Sequence, residues 1–258
     1  MEIVKENIAS AHEAVVKAII DEGVEKDIEV EPGKWAKTWE YPDPVLIIVR
    51  RPQSEPQLST ASNFGPGFIR QYKSDFITIQ SNRTAGKDFE YTYADRLFDY
   101  PLLTLDNTPS SYHYSGNGRG DGVDQITRLI DKLCVNPESR RALAITWVPL
   151  LDSPSTEPPC LQFVHFMIRR GIPAHGENPQ LEYLHLRAPF RSHDMLSGYG
   201  PNALGLTGLM EYVCSHLNNR LNKNILVGSL TTFSSSAHIY CLAQASELRE
   251  FKKVLRIS

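Results

Sequence analysis

Long apolar runs are missing from this 258-residue sequence. The longest, such as VLIIV at 45 to 49, fall far short of the ~20 residues a bilayer span requires. The stretch MEIVKENIASAHEAVV intersperses acidic residues with apolar ones and has no h-region before a small-residue cleavage site, which predicts a cytosolic protein rather than a secreted one. Cysteine is sparse and scattered. Cys134, Cys160, Cys214 and Cys241 form no CxxC pair, so neither a zinc site nor a disulfide framework is indicated, and reduced thiols are expected. Extended basic tracts are also lacking. Arginines gather only locally, at Arg140–Arg141, Arg169–Arg170 and Arg187 to Arg191, and the net charge is −3, so a small anion suits the chain better than a nucleic acid. Internal repeats and long linkers are absent too, and residues 1–258 read as a single domain.

The patterning that is present specifies a mixed fold. Ile8, Ala11, Val15, Ala18 and Ile19 recur at helical spacing before Gly23, predicting a helix over 8–22. VLIIV, between Pro44 and Pro52, reads as a buried strand, residues 53–67 as loop, and 68–77 as a short helix. The glycine-rich stretch TPSSYHYSGNGRGDG at 108–122 has no Gly-Lys-Ser/Thr ending and no strand directly before it, so a phosphate loop is a weak reading; a loop of this kind could instead cover a site. Val123, Ile126, Leu129, Ile130 and Leu133 then mark an amphipathic helix ending near Asn136-Pro137. Strands are predicted at 141–147, 160–168, 181–187 and 225–233, with a long buried helix over 204–221. Strands and helices without strict alternation indicate an α+β fold.

Polar chemistry collects in a few short segments. Cys160 follows two prolines and opens an apolar stretch, a placement that suits a nucleophile on a rigid element and equally a buried thiol filling space. A nucleophilic thiol needs a nearby cation, and Arg191 with Asp194 in FRSHD is a candidate, although such a pair is often only a surface ion pair. Asn202 is placed to cap the long helix, while its amide could also read a pyrimidine edge. His238 and Tyr240 alternate, and so share one face of a strand, where they could bind a sugar hydroxyl or pack in the core. Cys134 and Cys214 fall on apolar helix faces and read as core; Cys241 is left open.

In order along the chain, these segments resemble the thymidylate synthase family with its dUMP and dCMP hydroxymethylase relatives. The matching elements are YTYADRL with Tyr93, SRRALAITW with Arg140 and Arg141, PPC with Cys160, RSHD with Arg191, Ser192 and Asp194, PNALGL with Asn202, and AHIY with His238 and Tyr240. The resemblance implies a mixed β-sheet packed with helices, one sheet face forming a homodimer interface. It also implies that the Cys160 thiolate adds to C6 of dUMP, so that C5 attacks a one-carbon unit and dTMP results. Arg191 and Ser192 would bind phosphate, Arg191 also favouring the thiolate. Arg140 and Arg141 would reach the other subunit's phosphate site. Asn202 would read the uracil edge, Asp194 would face the pyrimidine ring and folate, His238 and Tyr240 would hold the 3′-hydroxyl, and Tyr93 would assist loss of the C5 proton through water.

The implied donor is 5,10-methylenetetrahydrofolate or a methanopterin analogue, with no metal. Alternatives within the resemblance are a dUMP/dCMP hydroxymethylase and an inactive nucleotide-binding homologue. Leu161, Phe190 and Ser236 depart from the common pattern in the manner of a short archaeal branch. No residue between 55 and 80 matches the family's proton-relay Glu, and Lys34 or Lys37 is expected to replace its N-terminal phosphate-loop Arg. The short stretch after Tyr240, which leaves less chain to close over a folate, points toward the methanopterin alternative.

Overall fold

The computed structural model describes residues 1–31, 33–62, 64–79, 91–105 and 112–257. It begins with β1 (Glu2–Lys5), α1 (Ile8–Glu22), the hairpin β2 (Val24–Glu31) and β3 (Lys34–Glu40), then β4 (Val45–Val49) and α2 (Pro66–Asp75). Next come α3 (Tyr93–Phe98), the hairpin β5 (Leu102–Leu105) and β6 (Tyr112–Ser115), α4 (Gln125–Val135), β7 (Leu143–Ile145) and the single turn α5 (Pro149–Asp152). The remainder is β8 (Phe163–Arg170), β9 (Glu182–Phe190), β10 (His193–Asp194), α6 (Tyr199–Leu221), β11 (Ile225–Ser234), β12 (Ala237–Ile239) and α7 (Ala245–Leu255). The fold is α+β, as expected. Among the described residues no helix is long and apolar enough to cross a membrane.

Six strands in the order β1-β4-β11-β9-β8-β7 form the main sheet, and β10-β12-β3-β2 form a second. Side chains alternate across the main sheet. Val164, Phe166 and Ile168 on β8, Leu184 and Leu186 on β9, and Ile47 on β4 are buried in the core together with α1 and α6. On the exposed side stand Leu143, Ile145 and Phe233. Helix α1 forms where its periodicity predicts: Asn7 caps it by accepting the Ser10 N–H at 2.9 Å, and Ile8, Ala11, Val15 and Ile19 are fully buried.

Several boundaries differ from expectation. Helix α6 starts at Tyr199 with Gly198 as its N-cap, so Asn202 does not cap it but lies one turn inside, donating its N–H to Gly198 at 3.0 Å. Pro201 permits the earlier start because first-turn positions need no amide donor. The expected strands at 160–168 and 141–147 shorten to β8 and β7, leaving Cys160 in a bend just before the sheet. The β2–β3 hairpin escapes the periodicity because most of its residues are exposed and charged, which leaves little alternation to read.

The glycine-rich stretch is partly strand, with β6 paired to β5, and residues 106–111 lie outside the described region. Its amides are already engaged. The Asp99 carboxylate accepts from the N–H groups of Gly118 at 2.8 Å, Gly120 at 2.8 Å and Gly122 at 2.6 Å. Gly116 and Gly120 adopt φ of 78° and 85°, a region that glycine enters without the Cβ penalty. The loop is thus wound around an internal anion instead of offering its amides to a phosphate.

A buried ion pair links α3 to α5. Arg96 Nη2 and Nη1 donate to Asp152 at 2.7 and 3.3 Å, both side chains are almost fully buried, and Asp152 also accepts the Val148 N–H. Removing one partner strands the other charge away from water. Asp152→Ala is therefore expected to lower stability by about 3–5 kcal/mol, read as a lower urea midpoint, with Asp152→Asn costing less because it keeps an acceptor.

Candidate active site

Cys160 is placed by the chain on both sides of it. Pro158 and Pro159 hold the approach extended. Immediately afterwards Leu161 bridges Phe190 at the end of β9, with Gln162 N–H donating to Pro189 at 2.8 Å and Arg191 N–H donating to the Cys160 carbonyl at 2.9 Å. The Arg191 side chain then folds back. Its Nε donates to the Pro159 carbonyl at 3.0 Å and its Nη2 to the Pro158 carbonyl at 2.6 Å. One arginine therefore fixes both proline carbonyls while lying close enough to Cys160 to favour its thiolate.

Two tyrosines approach from the other side. Thr92 and Asp95 form a capping box at the start of α3, which sets the position of Tyr93. The Tyr93 hydroxyl accepts the Leu161 N–H at 3.3 Å, next to Cys160. The Tyr91 ring lies under the Arg96 guanidinium, 4.6 Å from its centroid, so the buried Arg96–Asp152 pair also supports this wall. Burial pushes both phenols up, Tyr93 well above the ordinary range, so both are neutral hydroxyls at physiological pH.

A third set of side chains near Cys160 and Arg191 comes from the second sheet. Strand β10 runs parallel to β12 with Asp194 opposite His238. The His238 and Tyr240 rings meet edge to face, with centroids 5.0 Å apart, so these two side chains do share a face although β12 ends at Ile239. Asp194 accepts from the N–H groups of Leu196 at 3.0 Å and Ser197 at 3.3 Å, and from the Gln244 amide. Burial raises the Asp194 carboxyl and lowers the His238 imidazole, and the charge of each opposes the other's shift. Burial also raises Tyr240, with the negative charges of Asp194 and Cys160 adding to the effect.

Asn202, on the first turns of α6, opens onto a cleft of about 390 Å³ lined by Tyr72, Phe76, Tyr91 and Tyr93 together with Asp75. The structure thus gathers Cys160, Tyr93, Arg191, Asp194, Asn202, His238 and Tyr240 into one region, with half-buried Ser192 in the bend after Arg191. Arg140 and Arg141 lie apart. Both are exposed and line a separate cavity of about 720 Å³ with Arg169, Arg170 and Glu182. Lys34 and Lys37 form ion pairs with Glu31 and Glu25 within the β2–β3 hairpin. Among the described residues no group of three or more His, Cys, Asp or Glu is arranged to hold a metal ion.

Sequence reasoning missed Tyr72, Tyr91, His193 and Gln244. Only Tyr91 carried a signal, since its spacing of two from Tyr93 in YTY places both on one side of an extended segment. Cys134 packs against the core, half-buried, and Cys214 is buried on α6, as their helical positions suggest. Cys241 is buried, its thiol donating to the Lys37 carbonyl at 3.3 Å.

Fold and cleft together define an α+β protein built around a partly buried cysteine with arginine, tyrosine and amide neighbours. The thymidylate synthase family model matches residues 65–254, and the chain belongs to that family. It is 32% identical over 196 residues to a protein named "Putative thymidylate synthase" from Methanosarcina barkeri, covering 76% of this chain and 71% of the relative. It is 37% identical over 196 residues to a protein of the same name from Methanosarcina mazei, with the same two coverages of 76% and 71%. A relative of that name from Methanocaldococcus jannaschii is 28% identical over 246 residues, covering 92% of this chain and 90% of the relative. The family is one of methyltransferase enzymes that bind dUMP, normally use a folate-type one-carbon donor and are typically dimeric.

The electrostatics of the cleft give a direct test. Burial raises the Cys160 thiol, and Arg191 opposes this without overcoming it. Alkylation of Cys160 by iodoacetamide, followed by peptide mass spectrometry, is expected to rise with pH only above the range of an ordinary thiol, about 8.5. Arg191→Met is expected to move that midpoint higher still, and an unshifted midpoint would remove Arg191 from the list of groups acting on the thiol.

Proposed function

We propose that the protein is a single-domain, cytoplasmic thymidylate synthase-like methyltransferase that converts dUMP to dTMP by reductive methylation. The observation that carries this reading is the position of Cys160, held with Pro158 and Pro159 by three hydrogen bonds from Arg191 to their carbonyls and adjoining Tyr93, which lines a cleft together with Asn202. C5 of a uracil ring is poorly nucleophilic, and covalent attack at C6 divides its substitution into easier steps. The Cys160 sulfur adds to C6 of the pyrimidine, and the electron pair displaced toward O4 makes C5 nucleophilic. After C5 bonds to the one-carbon unit, C5 loses its proton as the carbon–nitrogen bond to the donor breaks, leaving an exocyclic methylene. Hydride from the released donor then adds to that methylene as the C6–S bond breaks, which leaves the methyl group, returns the electron pair to sulfur as thiolate and leaves the donor oxidised by two electrons.

The remaining residues take roles suited to their environments. Arg191, a permanent cation, attracts the phosphate and favours the thiolate, with Ser192 beside it. Tyr93 is held as a neutral phenol, so it orients a water for loss of the C5 proton by hydrogen bonding and does not act as a phenolate. Asp194 faces the pyrimidine and donor, while His238 and Tyr240 take the deoxyribose hydroxyl. Asn202 pairs with the uracil edge. The donor, 5,10-methylenetetrahydrofolate or a methanopterin analogue, supplies the one-carbon unit and the hydride; the aromatic lining by Tyr72, Phe76 and Tyr91 suits a flat heterocycle.

The exposed face of the main sheet, with Leu143, Ile145 and Phe233 at 43, 39 and 41% exposure, is the surface proposed to pair with a second copy. In such a homodimer Arg140 and Arg141 serve the partner's phosphate site, which accounts for their separation from Cys160 here. Release of tritium from 5-tritiated dUMP in the presence of the donor is the expected activity, with product mass distinguishing methyl from hydroxymethyl. Cys160→Ala should still bind dUMP and reduce release to background; an Ala variant that still releases tritium would refute covalent catalysis.

A further inference from the structure

His193 lies between two residues assigned to the site, and nothing in the proposed reaction uses it. Its ring is almost fully buried, stacked on Phe190 with centroids 3.9 Å apart and an interplanar angle of 14°. Its backbone is fixed by β10, with the His193 N–H donating to Ser236 at 2.8 Å. Each ring nitrogen has a polar partner: Nδ1 lies 3.1 Å from Ser234 Oγ, and Nε2 lies 3.1 Å from the Asn202 amide nitrogen.

An amide nitrogen can only donate. The pairing therefore requires Nε2 to accept, which places the ring proton on Nδ1, where it is donated to the fully buried Ser234. Protonating both nitrogens would set two donors against each other at Asn202, and burial, which pushes the imidazole down to about 3, keeps the ring neutral. At the opposite end of the same amide, the Tyr72 hydroxyl donates to Asn202 Oδ1 at 3.4 Å. Asn202 is thus held at both ends, its nitrogen by an acceptor and its oxygen by a donor.

We propose that His193 is a positioning residue that, with Tyr72, locks the Asn202 amide in one orientation and so sets selectivity for uracil over cytosine. The inference rests on the dUMP reading of the cleft. After these two contacts the amide retains one N–H and one lone pair on its oxygen. Uracil offers an O4 acceptor beside an N3–H donor, which matches that remaining pair. Cytosine offers an N4 donor beside an N3 acceptor, which matches only the flipped amide. An unclamped asparagine could turn to serve either base; the clamped one turns only if the Tyr72 hydroxyl changes from donor to acceptor and the His193 proton moves from Nδ1 to Nε2 with Ser234 becoming the donor, all three together.

Calorimetric titration of the full chain with dUMP and with dCMP tests this. Wild type should prefer dUMP. His193→Phe keeps the ring stacked on Phe190 but has no acceptor, and is expected to reduce the dUMP/dCMP affinity ratio by about tenfold, the scale of one well-placed hydrogen bond. His193→Gln, whose side-chain carbonyl can accept from Asn202, should restore most of the ratio, a rescue that a purely packing role would not produce. Tyr72→Phe deletes only the hydroxyl at the other end, should reduce the ratio by a few-fold, and stands as the test if His193→Phe fails to fold. A wild type that does not prefer dUMP overturns the uracil reading together with the clamp. A wild type that prefers dUMP, with that preference unchanged in His193→Phe and Tyr72→Phe, overturns the clamp alone.

Discussion

The pairing of Leu161 with Phe190 is the constraint from which the site follows. Both side chains are fully buried, so a slip of one residue would turn both away from the core and leave backbone groups unpaired. With this register fixed, the Cys160 carbonyl receives the Arg191 N–H, and the guanidinium is near enough to reach Pro158 and Pro159. The next residues, His193 and Asp194, enter β10 in register with Ala237 and His238. A single bridge thereby couples the thiol on one segment to the arginine, imidazole and carboxyl on another, and to the histidine on a third.

Around that scaffold, burial is the dominant electrostatic force. It raises Cys160, Tyr91, Tyr93 and Asp194 and lowers His193 and His238, so the surroundings of Cys160 consist largely of groups biased toward their neutral forms. Arg191 stands among them as a permanent charge. Under the proposed reading, exposed Arg191 attracts an incoming phosphate from solvent, while hydrogen bonds through Asn202 and the phenols would add orientation without a large reorganisation of charge.

The architecture also stabilises its walls from behind. Arg96 is both the partner of buried Asp152 and the cation over Tyr91, so the ion pair that ties α3 to α5 also holds an aromatic wall of the cleft. Asp99, at the end of α3, gathers the glycine amides of the following loop in the same way. Charged groups with several polar partners each organise these irregular segments, where regular hydrogen-bond ladders are short.

The sequence alone determined the helices α1, α2, α4 and most of α6, the strands of the main sheet's centre, and the mixed class, because periodic burial of apolar residues is a local signal. Through its ordered short segments it also marked Cys160, Arg191, Asp194, Asn202, His238 and Tyr240 as a set. Tertiary structure decided what local patterns cannot carry. It placed Asn202 inside α6 instead of at its cap, separated Arg140 and Arg141 from Cys160, and committed the glycine-rich loop to Asp99. It also revealed the contacts of His193 and Tyr72 with one amide, from residues 9 and 130 positions away in the chain. Periodicity reports which side of an element is buried; only packing of distant segments decides which polar atoms meet there.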